Sequence, residues 1–174
     1  DNLFVLDKNK KNLQINIPKG EKDPPVLSLF RRFSSPVVWE SNSSTDDFLF
    51  LYLNDNDYFS RWDSGQSLMR EIMRNKLRKK PDYLLEERFI FAVKQSIKSL
   101  ENNDRFFLAK LITIPGFSEL ESLFTKVDPI NIYRESLNLQ VLIGREILQE
   151  LRKISDNLLL NISHEWPMGR GERK

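Results

Sequence analysis

The feature that most constrains the fold is a change of hydrophobic period near residue 41. Before it, Leu13, Ile15 and Ile17 alternate with polar residues, which is the period of a half-buried strand. After the polar stretch 41–45, apolar residues recur every three or four positions, as on an amphipathic helix. The sequence therefore predicts a mainly α protein in which a few N-terminal β strands precede a helical region, with the domain boundary between 1–40 and 41–174.

The N-terminal part has too few strands for a stable sheet of its own. Its extended runs are Leu3–Leu6, Leu13–Ile17 and Val37–Trp39, and a loop rich in Pro and Gly separates the last two. We therefore expect residues 1–40 to be the last strands of an Ig-like β-sandwich whose earlier strands lie upstream of Asp1.

The remainder, 41–174, has the pattern of an α-helical bundle or solenoid. Ser44 and Asp47 form a capping pattern at the start, and Asp128-Pro129 predicts a long last helix that continues to about Leu160. The apolar positions of the five helices between these signals are Phe48, Leu51 and Tyr52; Trp62, Met69, Ile72, Met73 and Leu77; Phe89, Ala92, Val93, Ile97 and Leu100; Phe106, Phe107 and Leu111; and Phe117, Leu120, Leu123 and Phe124.

Composition excludes several kinds of chemistry. The 174 residues include no Cys, so the chain has no disulfide, no thiolate zinc site and no thiol nucleophile. The lack of Cys also fits a reducing compartment, and we expect a cytoplasmic protein. No apolar run approaches the ~18 residues of a membrane span. A net charge of +2 is not that of a dedicated nucleic-acid binder.

Two motifs suggest chemistry but favour a structural role. His164-Glu165 begins like a zincin motif, but Met168 stands where the second His is needed and Pro167 disrupts the helix. Six basic residues fall within positions 70–80, which would suit phosphate contacts. We expect instead a solvated helix face, with nearby acidic residues able to neutralise it: Asp46, Asp47, Asp55 and Asp57.

The trio Arg61-Trp62-Asp63 could be an aromatic–cation cluster that binds a ligand, but such a trio is more often a helix anchor. In that case Trp62 is buried, and Arg61 and Asp63 pair at the edge. The carboxylate pairs Glu86-Glu87 and Glu119 with Glu121 fall on separate faces of their helices, so they do not converge on a substrate. We predict no catalytic, cofactor-binding or metal-ligating residue in this chain.

Two segments carry a family resemblance. Pro25 to Val37, PVLSLFRRFSSPV, resembles the P-x-x-S-L-x-R-x-F-S-A-P-V stretch of the bacterial aminopeptidase N (alanyl aminopeptidase) family, with Ser35 in place of Ala. Phe59 to Gln66, FSRWDSGQ, is similar to its F-x-R-W-E/D-A-x-Q segment. Downstream, 108–115 and 119–130 look like its A-x-x-L-x-L-P and E-L-F-x-x-x-D-P-I passages.

The resemblance implies a place in a larger zinc enzyme that removes N-terminal amino acids from peptides. The chain would hold the end of that enzyme's β-sandwich and the first helices of its C-terminal helical domain, which covers the catalytic domain. The family's zinc-binding H-E-x-x-H and its G-x-M-E-N motif have no counterpart here. Its partners would be the other domains of the parent enzyme, and peptides would be the parent's substrates.

The resemblance also implies packing roles for the two segments. Leu29, Phe30 and Phe33 would lock the sandwich onto the helices, and Trp62 would anchor the second helix. A free-standing helical interaction module with a β arm is the alternative, and a nucleic-acid-binding helical domain that uses residues 70–80 is a third.

Overall fold

The structure is a computed structural model. It describes residues 5, 10, 12 and 14 and the ranges 25–35, 37, 41–100, 104–126 and 128–161, with the side chains of the last helix described as far as Asp156. The described ranges contain seven α-helices: α1 Thr45–Asn54, α2 Tyr58–Leu77, α3 Tyr83–Leu100, α4 Arg105–Leu111, α5 Phe117–Glu121, α6 Pro129–Glu146 and α7 Leu148–Asn161. A single 3-10 turn, Arg31–Phe33, precedes them.

Short polar side chains start the helices. The predicted capping box of α1 is confirmed, because Ser44 Oγ accepts from the Asp47 amide at 3.1 Å and the Asp47 carboxylate accepts from the Ser44 amide at 2.8 Å. The predicted start of α6 is also confirmed, with Asp128 as N-cap and Pro129 in the first turn. Asp57 and Asp104 cap α2 and α4 in the same way.

The core lies where α1, α2 and α3 pack together, and α4 and α6 close it from the side of α2. Most apolar positions predicted from helical spacing are buried there. The fully buried large side chains are Tyr52, Leu68, Met69, Ile72, Met73, Phe89, Ile97, Leu111, Leu120, Ile132, Leu139 and Ile147.

A close approach of α1 to α2 centres on Tyr52 and Gly65. The ring of Tyr52 is completely buried, and a Cβ on Gly65 would lie 2.7 Å from its Cε2 and 2.9 Å from its Cδ2. The same ring packs against Phe89 of α3 with 5.6 Å between centroids. Gly65 is therefore needed because any larger residue would push α1 away from α2 and α3.

One sequence-based expectation about secondary structure needs correction, and another falls mostly outside the described residues. The described residues include no strand, and the predicted strands at Leu3–Leu6, Leu13–Ile17 and Val37–Trp39 lie almost entirely outside them. The long last helix is two helices, because the regular backbone is interrupted at Ile147 (φ −110°, ψ 8°). Ile147 is only 1% exposed, so the interruption coincides with its burial in the core.

Gly65→Ala should lower the free energy of unfolding by about 1–3 kcal/mol, because overpacking against a buried ring forces the helices to move. The measurement is urea denaturation of the 174-residue chain. Gly116→Ala is the matched control, since a Cβ at Gly116 meets nothing within 4 Å. Equal effects of the two substitutions would contradict this account of the α1–α2 contact.

Candidate functional site

The most elaborate polar arrangement in the described residues joins the segment 25–35 to the loop between α1 and α2. Ser28 Oγ donates to Asp55 Oδ2 and lies 3.2 Å from Ser60 Oγ. Arg31 donates to Asp55 Oδ1 at 2.8 Å and also to Asn56 Oδ1. The Asp55 side chain is only 2% exposed, so this is a shielded ion pair. We call the contact of 28–33 with 55–60 the junction.

Asp57 also belongs to the junction, because its two carboxylate oxygens accept hydrogen bonds from different segments. Oδ1 caps α2 by accepting from the amide of Ser60 at 2.9 Å and from its hydroxyl at 3.0 Å. Oδ2 accepts from the amide of Arg32 at 2.9 Å. Burial opposes ionisation, but these hydrogen bonds and the charge of Arg31 outweigh it and hold the pKa of Asp57 below its ordinary value.

The backbone of the junction is strained. Phe30, Arg32 and Phe33 have φ of 52°, 56° and 53°, in the left-handed region that L-residues with side chains seldom adopt. Such conformations persist where surrounding contacts over-determine them. Here the bonds of Arg31 and Arg32 to the α1–α2 loop provide that constraint.

The contact between the N-terminal segment and the helices, which we expected to be apolar, is thus mainly polar. Phe33 packs edge-on against Phe59 with centroids 5.1 Å apart, but it is 58% exposed, and Leu29 is exposed too. The residues that sequence reasoning missed are Ser28 and Arg31, together with their acceptors in the loop 55–57. The sequence did mark Ser28 and Arg31, since both belong to the segment that carries the family resemblance.

The interpretation of Arg61-Trp62-Asp63 was wrong in its details. Arg61, not Trp62, is the buried member: it is 6% exposed, while Trp62 is only half-buried. Arg61 Nε donates to the carbonyl oxygen of Tyr52 at 2.9 Å, and its guanidinium lies over the ring of Phe107 at 5.5 Å. Burial lowers the pKa of Arg61 from its ordinary value. Asp63 instead faces Arg70 at 4.0 Å.

Three of the six basic residues in the stretch 70–80 are paired with carboxylates, but not with those of the acidic residues that we expected. Arg70 pairs with Glu119, Arg74 with Glu71, and Lys76 with Glu86 at 2.9 Å. The four expected partners act elsewhere: Asp46 pairs with Arg88, Asp47 caps α1, and Asp55 and Asp57 belong to the junction. Arg78, Lys79 and Lys80 are exposed at the end of α2.

The carboxylate pairs singled out from the sequence do not converge in the described residues. These residues contain no group of three or more His, Asp or Glu that could hold a metal ion. Glu86 is buried with Lys76 while Glu87 is exposed, and Glu119 pairs with Arg70 while Glu121 is exposed. His164 and the rest of its motif lie outside the described residues.

The comparisons with known proteins agree with this architecture. The family model described as "Domain of unknown function (DUF3458_C) ARM repeats" matches residues 45–173. The chain belongs to this family of ARM-repeat domains. The match covers all seven helices and begins at the first residue of α1, the position at which the sequence predicts the change to helix.

Aminopeptidase N proteins are among the curated relatives of this ARM-repeat chain. It is 29% identical over 139 residues to aminopeptidase N of Caulobacter vibrioides and 30% identical over 134 residues to that of Escherichia coli K12. These alignments cover 80% and 75% of this chain but only 16% and 15% of the relatives. The resemblance to the aminopeptidase N family is thereby confirmed for a helical piece about one-sixth of its relatives' length.

No helix among the described residues of this ARM-repeat chain is long and apolar enough to cross a membrane.

Arg61→Ala should destabilise the chain more than Trp62→Ala, which reverses the order that the sequence suggested. Losing Arg61 leaves the Tyr52 carbonyl and the Ser96 hydroxyl without a donor and opens a cavity, at a cost of about 2–4 kcal/mol. Removing the half-buried Trp62 should cost about 1–2 kcal/mol. Urea denaturation of both variants decides the order, and a larger loss for Trp62→Ala would show that the tryptophan is the anchor.

Asp57→Asn should lower the free energy of unfolding at pH 7 by about 1 kcal/mol, since Asn still caps α2 but lacks the charge. Because the folded pKa of Asp57 lies below the unfolded value of about 3.9, its contribution is complete above about pH 5 and is lost as the pH falls through the folded pKa. The difference between wild type and variant should therefore shrink in acid, as measured by denaturation from pH 7 to pH 2.5.

Asp128→Asn is the matched control for this prediction. This variant also replaces Asp by Asn at a helix N-cap, but Asp128 is exposed. Its described hydrogen bonds are only those that it accepts from the backbone amides of Ile130 and Asn131. If both variants showed the same pH dependence, the junction would not be the source of the effect.

Proposed function

We propose that this chain is a non-catalytic section of a zinc-dependent aminopeptidase N that removes N-terminal amino acids from peptides. In this proposal the helices form the start of the C-terminal helical domain, which covers the catalytic domain. The segment 1–40 belongs to the β-sandwich that connects the two. The partners of the chain are the other domains of the same polypeptide, and the enzyme acts in the cytoplasm.

The junction is the observation that carries the proposal. A strained segment bonded to a helix–helix loop by Arg31, Ser28 and Asp57 fixes the direction in which the preceding chain approaches the helices. That is the property required of a connection between two domains, whereas a flexible tether needs no such bonds. The aminopeptidase N relatives match at the helices that this segment contacts.

Zinc and the catalytic groups belong to the parent enzyme in this proposal. The described residues offer no donor set for zinc, so no catalytic step is assigned to them. Their contribution is to hold the covering domain in place. A substitution at the junction should then act on the stability of the parent enzyme and leave its chemistry unchanged.

The test uses the natural polypeptide that contains this chain, assayed with alanine p-nitroanilide. We expect zinc-dependent release of nitroaniline by that polypeptide and none by the 174-residue chain alone. Arg31→Ala in the full polypeptide should leave kcat/KM at 25 °C within about twofold while lowering the temperature of half-inactivation by about 2–4 °C. Arg88→Ala, which removes an exposed ion pair with Asp46, is the matched control and should change neither value.

Absence of aminopeptidase activity from the full polypeptide would contradict the proposal and favour a helical interaction module. A loss of kcat/KM in Arg31→Ala at 25 °C, without a change in thermal inactivation, would show that the junction takes part in catalysis instead of support.

A further inference from the structure

A cleft of about 460 Å³ lies between α3 and α6. The α3 residues that line it share one face of the helix, because they recur at intervals of three and four positions, and α6 provides the other wall. The volume falls within the range that is typical of small-molecule sites. The lining consists of Tyr83, Glu86, Glu87, Ile90, Phe91 and Lys94 from α3, with Leu142 and Glu146 from α6.

The charged groups of the cleft are mainly negative. The carboxylates of Glu86, Glu87 and Glu146 line it, against the single ammonium group of Lys94. Lys94 donates to Glu146 Oε2 at 2.9 Å, so this ion pair bridges the two helices. Even when Lys76 of α2 is counted, which pairs with Glu86, the carboxylates outnumber the ammonium groups. The cleft therefore favours a cationic ligand.

Glu86 adds an acceptor that has no donor. Its side chain is only 9% exposed, and Oε2 pairs with Lys76 at 2.9 Å. The other oxygen, Oε1, is buried and accepts no hydrogen bond from any described residue. A buried carboxylate oxygen without a donor is costly and uncommon. An N–H group of a ligand in the cleft would satisfy it.

The rest of the lining is apolar or aromatic. Ile90 is buried and Leu142 is half-buried, whereas Tyr83 and Phe91 are 72% and 59% exposed. Aromatic faces attract cations, and apolar walls strengthen a charge pair by excluding water. The carboxylates do not suit a metal ion, because no three acidic or His side chains among the described residues are placed to hold one. The lining suits a cation that has an apolar body.

We propose that the cleft between α3 and α6 binds a small organic ammonium ion. The ammonium group donates to the carboxylates of Glu86 and Glu87, and the apolar body lies against Phe91 and Leu142. The proposal does not depend on the function proposed above, since every group that it uses belongs to this chain.

The test locates the site in the full natural polypeptide by photolabelling. The label is 4-azidophenethylamine, and peptide mass spectrometry identifies where it attaches. We expect attachment within 83–94 and 142–146. Excess phenethylammonium chloride should abolish it, and 2-phenylethanol, which has the same shape without the charge, should not. Absence of label from both ranges, or equal competition by the alcohol, would overturn the proposal.

Substitutions in the lining should shift the phenethylammonium concentration that halves the labelling of α3. Glu86→Gln should raise it at least about tenfold, and Glu87→Gln at least about threefold, because each removes a charged acceptor. Lys94→Met should lower it about threefold, since it removes a competing cation and releases Glu146. Glu121→Gln, at an exposed carboxylate of α5, is the matched control and should leave it unchanged.

Glu86→Gln also disturbs a buried ion pair, so circular dichroism first establishes that this variant is folded. If it is not, Glu87→Gln and Lys94→Met decide the matter, because a loss of structure would not shift the two concentrations in opposite directions. No shift in either variant, or shifts in the same direction, would overturn the proposal.

Discussion

The fold depends on the contact between Tyr52 of α1 and the first turns of α2. Gly65 leaves room for the buried Tyr52 ring, and Arg61 holds the end of α1 through its bond to the Tyr52 carbonyl. The same guanidinium donates to Ser96 of α3 at 3.2 Å and lies over Phe107 of α4. One arginine thus ties four helices together, because its planar head donates in several directions at once.

The junction builds on this centre. Asp55 and Asp57 lie in the loop that follows Tyr52, and the contacts of Tyr52 with α2 hold the end of α1 beside that loop. Arg31 can then meet a fixed carboxylate, which reduces the entropy lost when the segment is ordered. The helical centre therefore determines the direction of the preceding chain, and this supports the interdomain role that we propose for it.

Much of the helical region could be predicted from the sequence because caps and apolar periodicity are local signals. Ser44 and Asp128 mark the helix starts, and spacing identified Met69, Ile72 and Phe89 as buried. The order of burial in Arg61-Trp62 was not predictable in this way. Hydrophobicity favours Trp62, and only the tertiary structure places the Tyr52 carbonyl and Ser96 where they can satisfy Arg61.

Other features were missed for the same reason. The interruption at Ile147 carries no Pro and coincides with burial of that side chain. The partner of Arg70, Glu119, lies 49 residues away along the chain, farther than any of the expected acidic residues. Lys76 pairs with Glu86 of α3, which is nearer in sequence than those residues but was not considered. The polar character of the junction depends on bonds that span 24 to 32 residues. Local patterns do not encode such pairings.

Native-state hydrogen exchange of the 174-residue chain tests most directly whether the Tyr52–Gly65–Arg61 contact is the centre of stability. The account predicts that the slowest amides lie in α2 and α3 around residues 64–73 and 89–97 and exchange only through global unfolding, together with those of α1 near Tyr52. If the slowest amides were instead in α6, while those of α1 and α2 exchanged through separate local openings, the contact would not hold the fold together.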